Sequence, residues 1–498
     1  MFRAKSLCLL LAGVTAVHAQ NLQEFEKKVT RFTLANGLSF LTVERHDAPV
    51  VSFHTHVSVG SLHDPAGRTG LAHMFEHMAF KGTPAIGSEN WAEEQKALAA
   101  VTEAYDALEA ERRKGLKADA SRVSSLDTQL KAAIDRAGLY VKPNEFPRII
   151  EENGGVGLNA ATGLESTTYH YNLPANRIEL WFLLESQRFL RPVFREFYKE
   201  RDVVREERRQ RVESSPQGKL QEALLTTAFA AHPYRQMPGG WASDIENLTV
   251  SDAQDFFRTH YVPGNITIGI VGDVDPREVR RLADKYFGPL PARPLPPLIR
   301  TVEPPQQGVK RIQVVSEAQP LLMIAYKRTD QLHPDDIVFD VISLILSSGR
   351  TGTLYKLLVR DRKTALAAVA APTFPGGRYP CLFAFLIAPT PGHTLDENEK
   401  LFEQVLRELK DKPVDDATMR RVKIKARASL LRRLDGNEGL AQLMTLFHTS
   451  YGDWRRMFTV LDDLDRVTAA DVERVAKKYF VDTGKTVAML GPDFGGKQ

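Results

Sequence analysis

His73-Met74-Phe75-Glu76-His77 places two imidazoles and a carboxylate within five residues. In a helix, residues four apart lie one turn above each other on one face, so His73 and His77 can each direct a ring nitrogen at the same metal ion. Glu76 precedes the second imidazole and lies beside that face. Its carboxylate reaches a water at the metal rather than the metal itself, which is where a hydrolase needs its general base. The chemistry this set supports is metal-assisted hydrolysis, with zinc as the ion.

The order His-x-x-Glu-His inverts the commoner His-Glu-x-x-His helix and is the inverzincin signature. A zinc site that keeps a position open for water needs a third protein ligand from elsewhere. Glu200 to Arg211 reads as a helix with Glu200 and Glu207 two turns apart on one face. Most glutamates in so charged a segment are solvated, so the residues alone leave the third ligand open. His54 and His56, on one face of an expected strand, and nearby His63 read as packed or solvated rather than as a second metal site, since no acidic residue accompanies them.

The elements that must hold these residues follow from periodicity. Phe32 to Val43 alternates around Asn36-Gly37, and Pro49 to Val59 alternates again, which predicts strands of a half-buried sheet. The helix with His73 and His77 follows the turn Asp64-Pro65-Ala66-Gly67. From Trp91 to Ile134 the texture becomes charged helix. Apolar residues recur at Leu98, Val101, Tyr105 and Leu108, and again at Val123, Leu126, Leu130 and Ile134, which predicts an inserted helical hairpin (about residues 91–140) joined near Gly115. The stretch Asn153 to Thr162 is glycine-rich and runs into Ser166 to Tyr171, with strand propensity. Such a strand can pair with an extended peptide at a sheet edge, or be a plain strand after a turn.

The chain repeats itself. Thr249, Asp252, Val262, Thr267 and Gly272 recur 219 positions later as Thr468, Asp471, Val481, Thr486 and Gly491. Leu62-His63-Asp64-Pro65 faces Leu332-His333-Pro334-Asp335 more weakly, and the second copy has no His-x-x-Glu-His. Residues 288–308 hold seven prolines, which favour an extended connection. The expected architecture is α+β: two homologous α/β domains from an internal duplication, residues 20–287 and 309–498, of which only the first carries the metal motif.

Residues 1–19 combine Arg3 and Lys5, the apolar run Leu7 to Val17, and Val17-His18-Ala19 with small residues at the two positions that matter for cleavage, the pattern of a secretory signal cleaved near Ala19. The mature chain is expected to be exported, to a periplasm or beyond, with no transmembrane segment. The net charge of +4 includes Arg3 and Lys5; the +2 left on the mature chain is no nucleic-acid footprint. Of two cysteines, Cys8 lies in the signal, so Cys381 has no internal disulfide partner.

With the histidine motif, Asn159-Ala160, the run Glu200 to Glu207 and the duplication together, the chain resembles the pitrilysin, insulysin and mitochondrial processing peptidase family of zinc metallopeptidases, in its short bacterial form. The resemblance implies two halves around a clam-shell chamber and one Zn2+ per chain held by His73, His77 and Glu207. It makes Glu76 the base, Glu200 the supporting glutamate and Asn159 and Ala160 part of the strand that pairs with substrate. Glu206 competes with Glu207 for the third position, and the family's spacing from Glu200 favours Glu207. The implied activity is endopeptidase cleavage of unfolded peptides. The family's arginine and tyrosine clamp falls on Val359 to Ala367, which has arginines and no tyrosine. The resemblance therefore implies a homologous partner without zinc that supplies the clamp, or a homodimer. Two other readings remain: a scaffold of the same fold that binds peptides without cutting them, and a structural zinc module.

Overall fold

A computed structural model describes residues 24–492. The expected signal lies outside them. Val29–Thr33 (β1) and Ser39–Glu44 (β2) form the hairpin around Asn36-Gly37, with Gly37 at φ 97°, where the turn needs a left-handed residue. Val50–Val57 (β3) follows. Next come helix Leu71–Met78 (α1), the paired helices Trp91–Arg112 (α2) and Ala120–Gly138 (α3), and the short Glu145–Glu152 (α4). Strands Val156–Thr162 (β4) and Thr167–Pro174 (β5) lead to helices Ile178–Leu190 (α5), Phe197–Arg208 (α6), Pro216–Ala228 (α7), Ala242–Glu246 (α8) and Val250–His260 (α9). Strand Ile266–Gly272 (β6) and helix Pro276–Phe287 (α10) complete this half.

The second half runs Lys310–Val315 (β7), Leu321–Arg328 (β8), Asp336–Leu346 (α11), Ala365–Phe374 (β9) and Cys381–Pro389 (β10). It continues with helices Leu395–Asp411 (α12), Asp416–Asp435 (α13), Asn437–Tyr451 (α14), Arg456–Arg466 (α15) and Ala469–Tyr479 (α16), and ends in strand Lys485–Gly491 (β11). Among the described residues the first sheet has the order β1-β2-β6-β3-β5-β4 and the second β7-β11-β8-β10-β9. Apart from β1 the two orders are the same, including one parallel pair at the same place, β2 with β6 and β7 with β11. Helices α9 and α16 and strands β6 and β11 stand 219 residues apart along their whole lengths. Each of those helices starts on the same capping box, Thr249 with Asp252 and Thr468 with Asp471.

Both faces of each sheet need apolar cover. One face of the first sheet carries α1, α5, α9 and α10, through residues such as Phe75, Trp181, Phe257 and Phe287. The other takes α14 from the second half, where Leu440, Ala441, Leu443 and Met444 pack on Leu41, Val43 and Val271. The approach is close: a Cβ on Gly269 of β6 would stand 2.9 Å from the Ala441 carbonyl oxygen. Helix α7 makes the reciprocal crossing, with Leu220, Leu224 and Leu225 clustered with Met323, Leu382 and Leu490 of the second sheet. At about 1.5–3 kcal/mol for each fully buried leucine, this exchange fastens each half to the other.

His54 and His56 lie in that contact. His54 Nδ1 is 2.8 Å from the Thr445 hydroxyl and His56 Nε2 is 3.2 Å from that of Thr449, both on α14, so these strand histidines are packed, as the sequence suggested. The prolines of residues 291–307 carry no regular structure. Their segment is tied down where Glu303 accepts the backbone N–H groups of Ala230, Ala231 and His232. Helices α2 and α3 pair through Val101, Tyr105, Leu108, Leu126 and Leu130. Tyr105 stacks on Tyr198 at 4.6 Å, which seats the hairpin on α6.

Candidate metal centre

Helix α1 is set from its N-terminus. The buried Asp64 carboxylate accepts the N–H groups of Gly70 and Ala72 at 2.8 and 2.9 Å. Gly70 turns into the helix at φ 96°. The Thr69 hydroxyl bonds to Asp244, 2.7 Å away. Leu71, Ala72, Met74, Phe75 and Met78 are buried, with the Phe75 ring 4.1 Å from that of Tyr261. That apolar face fixes the rotation of the helix and leaves His73, Glu76 and His77 to the cleft.

Helix α6 runs past that face. It begins three residues before the expected start and widens into a π-turn at Arg209–Glu213, just after Glu207. Buried Val204 holds it down and brings Glu200 and Glu207 to the histidines. Glu207 Oε2 lies 3.6 Å from His73 Nε2, and Glu207 Oε1 lies 3.6 Å from His77 Nε2. One donor atom from each of the three residues falls within 4.8 Å of the others. Donors at about 2.0–2.1 Å from a tetrahedral zinc stand about 3.3 Å apart, so two imidazoles and a carboxylate at these distances fit the ion with small side-chain adjustments. Burial pushes the pKa of His73 down to about 3, with His77 and Arg211 adding to the effect, so the ring is neutral as a ligand must be. The competing Glu206 is turned away and grips Arg209 with both oxygens, at 2.6 and 2.7 Å.

Glu200 stands behind His77. Its Oε2 accepts from His77 Nδ1 at 3.2 Å, and its Oε1 meets Lys81 Nζ at 2.5 Å. Burial opposes the charge on Glu200, but the bonds from His77 and Lys81 outweigh it and hold the carboxyl below its usual range. With Nδ1–H donated to Glu200, His77 presents its Nε2 lone pair toward Glu207 and His73.

Glu76 points to the end of β4. Burial raises its pKa, against the opposing effects of the Thr162 hydroxyl and His77. Among the described residues strand β4 is the outer strand of its sheet and pairs with β5 alone, Asn159 opposite His170 and Ala160 opposite Tyr169. The Ala160 N–H is taken by the Asn159 side chain at 2.9 Å. Between α1, β4 and residues 142–147 lies a pocket of about 380 Å³, lined by Glu76, His77, Phe80, Phe146, Asn159 and Ala160. The structure thus brings Asn159 and Ala160 to the same pocket as Glu76 and His77.

Four contributors escaped the sequence reading: Asp64, Lys81, Thr162 and Arg211. Lys81 follows His77 by four residues and Arg211 follows Glu207 by four, with Arg211 Nη2 3.1 Å from Glu207 Oε2, so helical spacing alone could have flagged both. Thr162 and Asp64 carried no such signal. In the second half, Val359 to Ala367 crosses from a π-turn into β9, and its Arg360 is exposed and paired with Asp361 at 2.6 Å.

Comparison with known proteins bears on this geometry. The family profile described as Insulinase (Peptidase family M16) matches residues 39–111 and 138–237, leaving out most of α3. The profile described as Peptidase M16 inactive domain matches residues 247–426. The chain is 28% identical to the zinc protease PqqE of Helicobacter pylori over 98% of its own length and 97% of the relative's. It is 24% identical to the probable mitochondrial-processing peptidase subunit beta of Arabidopsis thaliana, over 96% and 81% respectively. Among solved structures, a protease from Helicobacter pylori superposes with a TM-score of 0.78 at 25% identity, covering 93% of this chain and 100% of that one. The periplasmic protease PqqL from Escherichia coli shares the fold, with a TM-score of 0.68 at 15% identity over 93% of this chain and 47% of that one. Among the described residues no helix is long and apolar enough to cross a membrane.

Proposed function

The chain belongs to the M16 family of metallopeptidases, and from that premise we propose that it is a zinc endopeptidase that cleaves unfolded peptides at the centre formed by α1 and α6. The observation that carries this reading is the convergence of His73, His77 and Glu207, from two separate helices, beside a half-buried glutamate and a strand edge that is unpaired among the described residues. A structural zinc module would need neither the glutamate nor the edge.

His73 and His77 hold the ion through their Nε2 atoms and Glu207 through its carboxylate. Zinc bound there supplies a Lewis acid that polarises the scissile carbonyl and makes water acidic near neutral pH. Glu76 takes the proton of the attacking water and returns it to the leaving amine. Its raised proton affinity suits it to hold that proton between the two steps. The Thr162 hydroxyl at the end of β4 favours the charged form of the Glu76 carboxylate, against burial. Glu200 keeps His77 in one tautomer and orientation. The peptide lies extended along β4, its backbone paired with the outer edge of that strand at Asn159 and Ala160 once the Asn159 side chain gives up the Ala160 N–H, and one side chain enters the pocket lined by Phe80 and Phe146.

The missing tyrosine between Val359 and Ala367 supports a second chain. In this reading the protein is the zinc-bearing subunit of a pair whose homologous partner brings the substrate clamp, and a homodimer is the other arrangement. Exported, periplasmic residence belongs to the same proposal, on the sequence of residues 1–19. The reading is tested by metal analysis and by hydrolysis of an unstructured peptide library, with the chain alone and with a co-purified partner. One zinc per chain and cutting are expected; a chain that binds peptides intact, with or without its partner, contradicts it and leaves the scaffold.

A further inference from the structure

The inserted hairpin does more than cover α6. Between it and the segment Arg191 to Lys199 lies a cavity of about 320 Å³, at the small end of ligand pockets, which run from about 300 to 1,000 Å³. Trp91, Leu98 and Ile134 wall it from the insertion, and Pro192 and Phe194 from the core. Three cations also line it, of which Arg195 is paired with Glu94. Lys199 is 3.8 Å from Glu196, and Arg191 has no carboxylate partner among the described residues. An apolar wall with an unneutralised guanidinium suits a ligand with an apolar body and one negative end.

Arg195 and Glu196 line both this cavity and the pocket beside Glu76. Arg195 is buried and spans from Glu94 on α2, at 2.7 Å, to the carbonyl oxygens of Ile86 and Thr83, at 2.7 and 2.9 Å, in the loop that leaves α1. Glu196 sits at φ 58° at the start of α6. Its Oε2 meets Lys81 Nζ at 3.1 Å, Lys81 meets Glu200 at 2.5 Å, and Glu200 meets His77 Nδ1 at 3.2 Å. A short unbroken chain of charged groups therefore joins the cavity wall to the imidazole.

We propose that this cavity binds an apolar chain ending in a carboxylate, and that filling it alters the hold of Glu200 on His77. The link to His77 rests on the reading of that residue as a metal ligand, whereas binding in the cavity does not. Two sources offer the chemistry: a free fatty acid, and the C-terminal end of an apolar peptide such as a cleavage product.

The test titrates decanoate, below its micelle concentration, into the full mature chain by calorimetry. One saturable site is expected. It should be lost in Ala99→Trp, which fills the cavity from an exposed position on its wall. Arg191→Gln should weaken decanoate by about tenfold while decanol keeps its affinity. N-acetyl-Leu-Leu binding as tightly as decanoate points to peptide ends, and decanoate alone points to fatty acids. No saturable site for either probe, or binding that survives Ala99→Trp, overturns the proposal. Zinc affinity, read by chelator competition, should change about threefold or more with decanoate bound and not in Ala99→Trp. An unchanged zinc affinity with decanoate bound overturns the link to His77. A chain that takes up no zinc at all, yet still binds decanoate, fails the metal reading instead.

Discussion

The Glu200 carboxylate accepts a hydrogen bond from Nδ1 of His77 at 3.2 Å, on the side of the ring away from Glu207. An outer carboxylate of this kind fixes the tautomer and orientation of a histidine and raises its basicity. Glu200→Gln is therefore expected to keep the fold and weaken zinc binding about 10–100-fold, read by chelator competition. Wild-type affinity in this variant would remove Glu200 from that role.

Glu206 and Glu207 are neighbours in sequence and opposites in space. Glu207→Ala should lose zinc at stoichiometric loading, measured by metal analysis of the purified chain, while Glu206→Gln should stay loaded, because its carboxylate turns from the histidines to Arg209 and Gln210. The reverse result would exchange their assignments.

Asp64 caps α1 from a buried position. Replacing it by Ala leaves two helix N–H groups without their acceptor, a loss of about 1–3 kcal/mol. Chemical denaturation of Asp64→Ala should show that loss, with a weaker zinc site as its local consequence. A variant as stable as the parent would mean that water takes over the cap.

Burial holds several histidines neutral: the pKa falls to about 3 for His54 and His56, and to about 4 for His63 and His260. In the unfolded chain these rings titrate near 6.5. A depressed folded value means the stability is present above the unfolded pKa and is lost as pH falls from about 6.5 toward 4. Each such ring contributes a slope approaching about 1.4 kcal/mol per pH unit within that window. Thermal unfolding midpoints between pH 7 and pH 5 should fall accordingly, and His54→Asn should flatten the slope. A midpoint independent of pH there would contradict the neutral packing.

What the sequence made legible follows from how local each signal is. The spacing of His73, Glu76 and His77 is itself helical geometry, so the face could be read directly. Glu207 required the resemblance, since one glutamate in a charged helix looks like another until Val204 shows which side is buried. The strand hairpin at Asn36-Gly37 and the paired α2 and α3 were legible from turn chemistry and periodicity. The crossing of α7 and α14 was not. Leu220, Leu224 and Leu225 mark a helix that must be covered, but periodicity names a buried face and not the sheet that covers it. Thr162 was hidden for the same reason, because its effect on Glu76 arises across the fold, between a strand end and a helix.

The most direct test of the central claim compares the purified mature chain with its Glu76→Gln variant, each assayed for bound zinc and for hydrolysis of unstructured peptides with the partner chain present. The account predicts equal zinc in both and cleavage by the parent alone, lowered in the variant by about 10²-fold or more. Cleavage by the variant at the parental rate would contradict it.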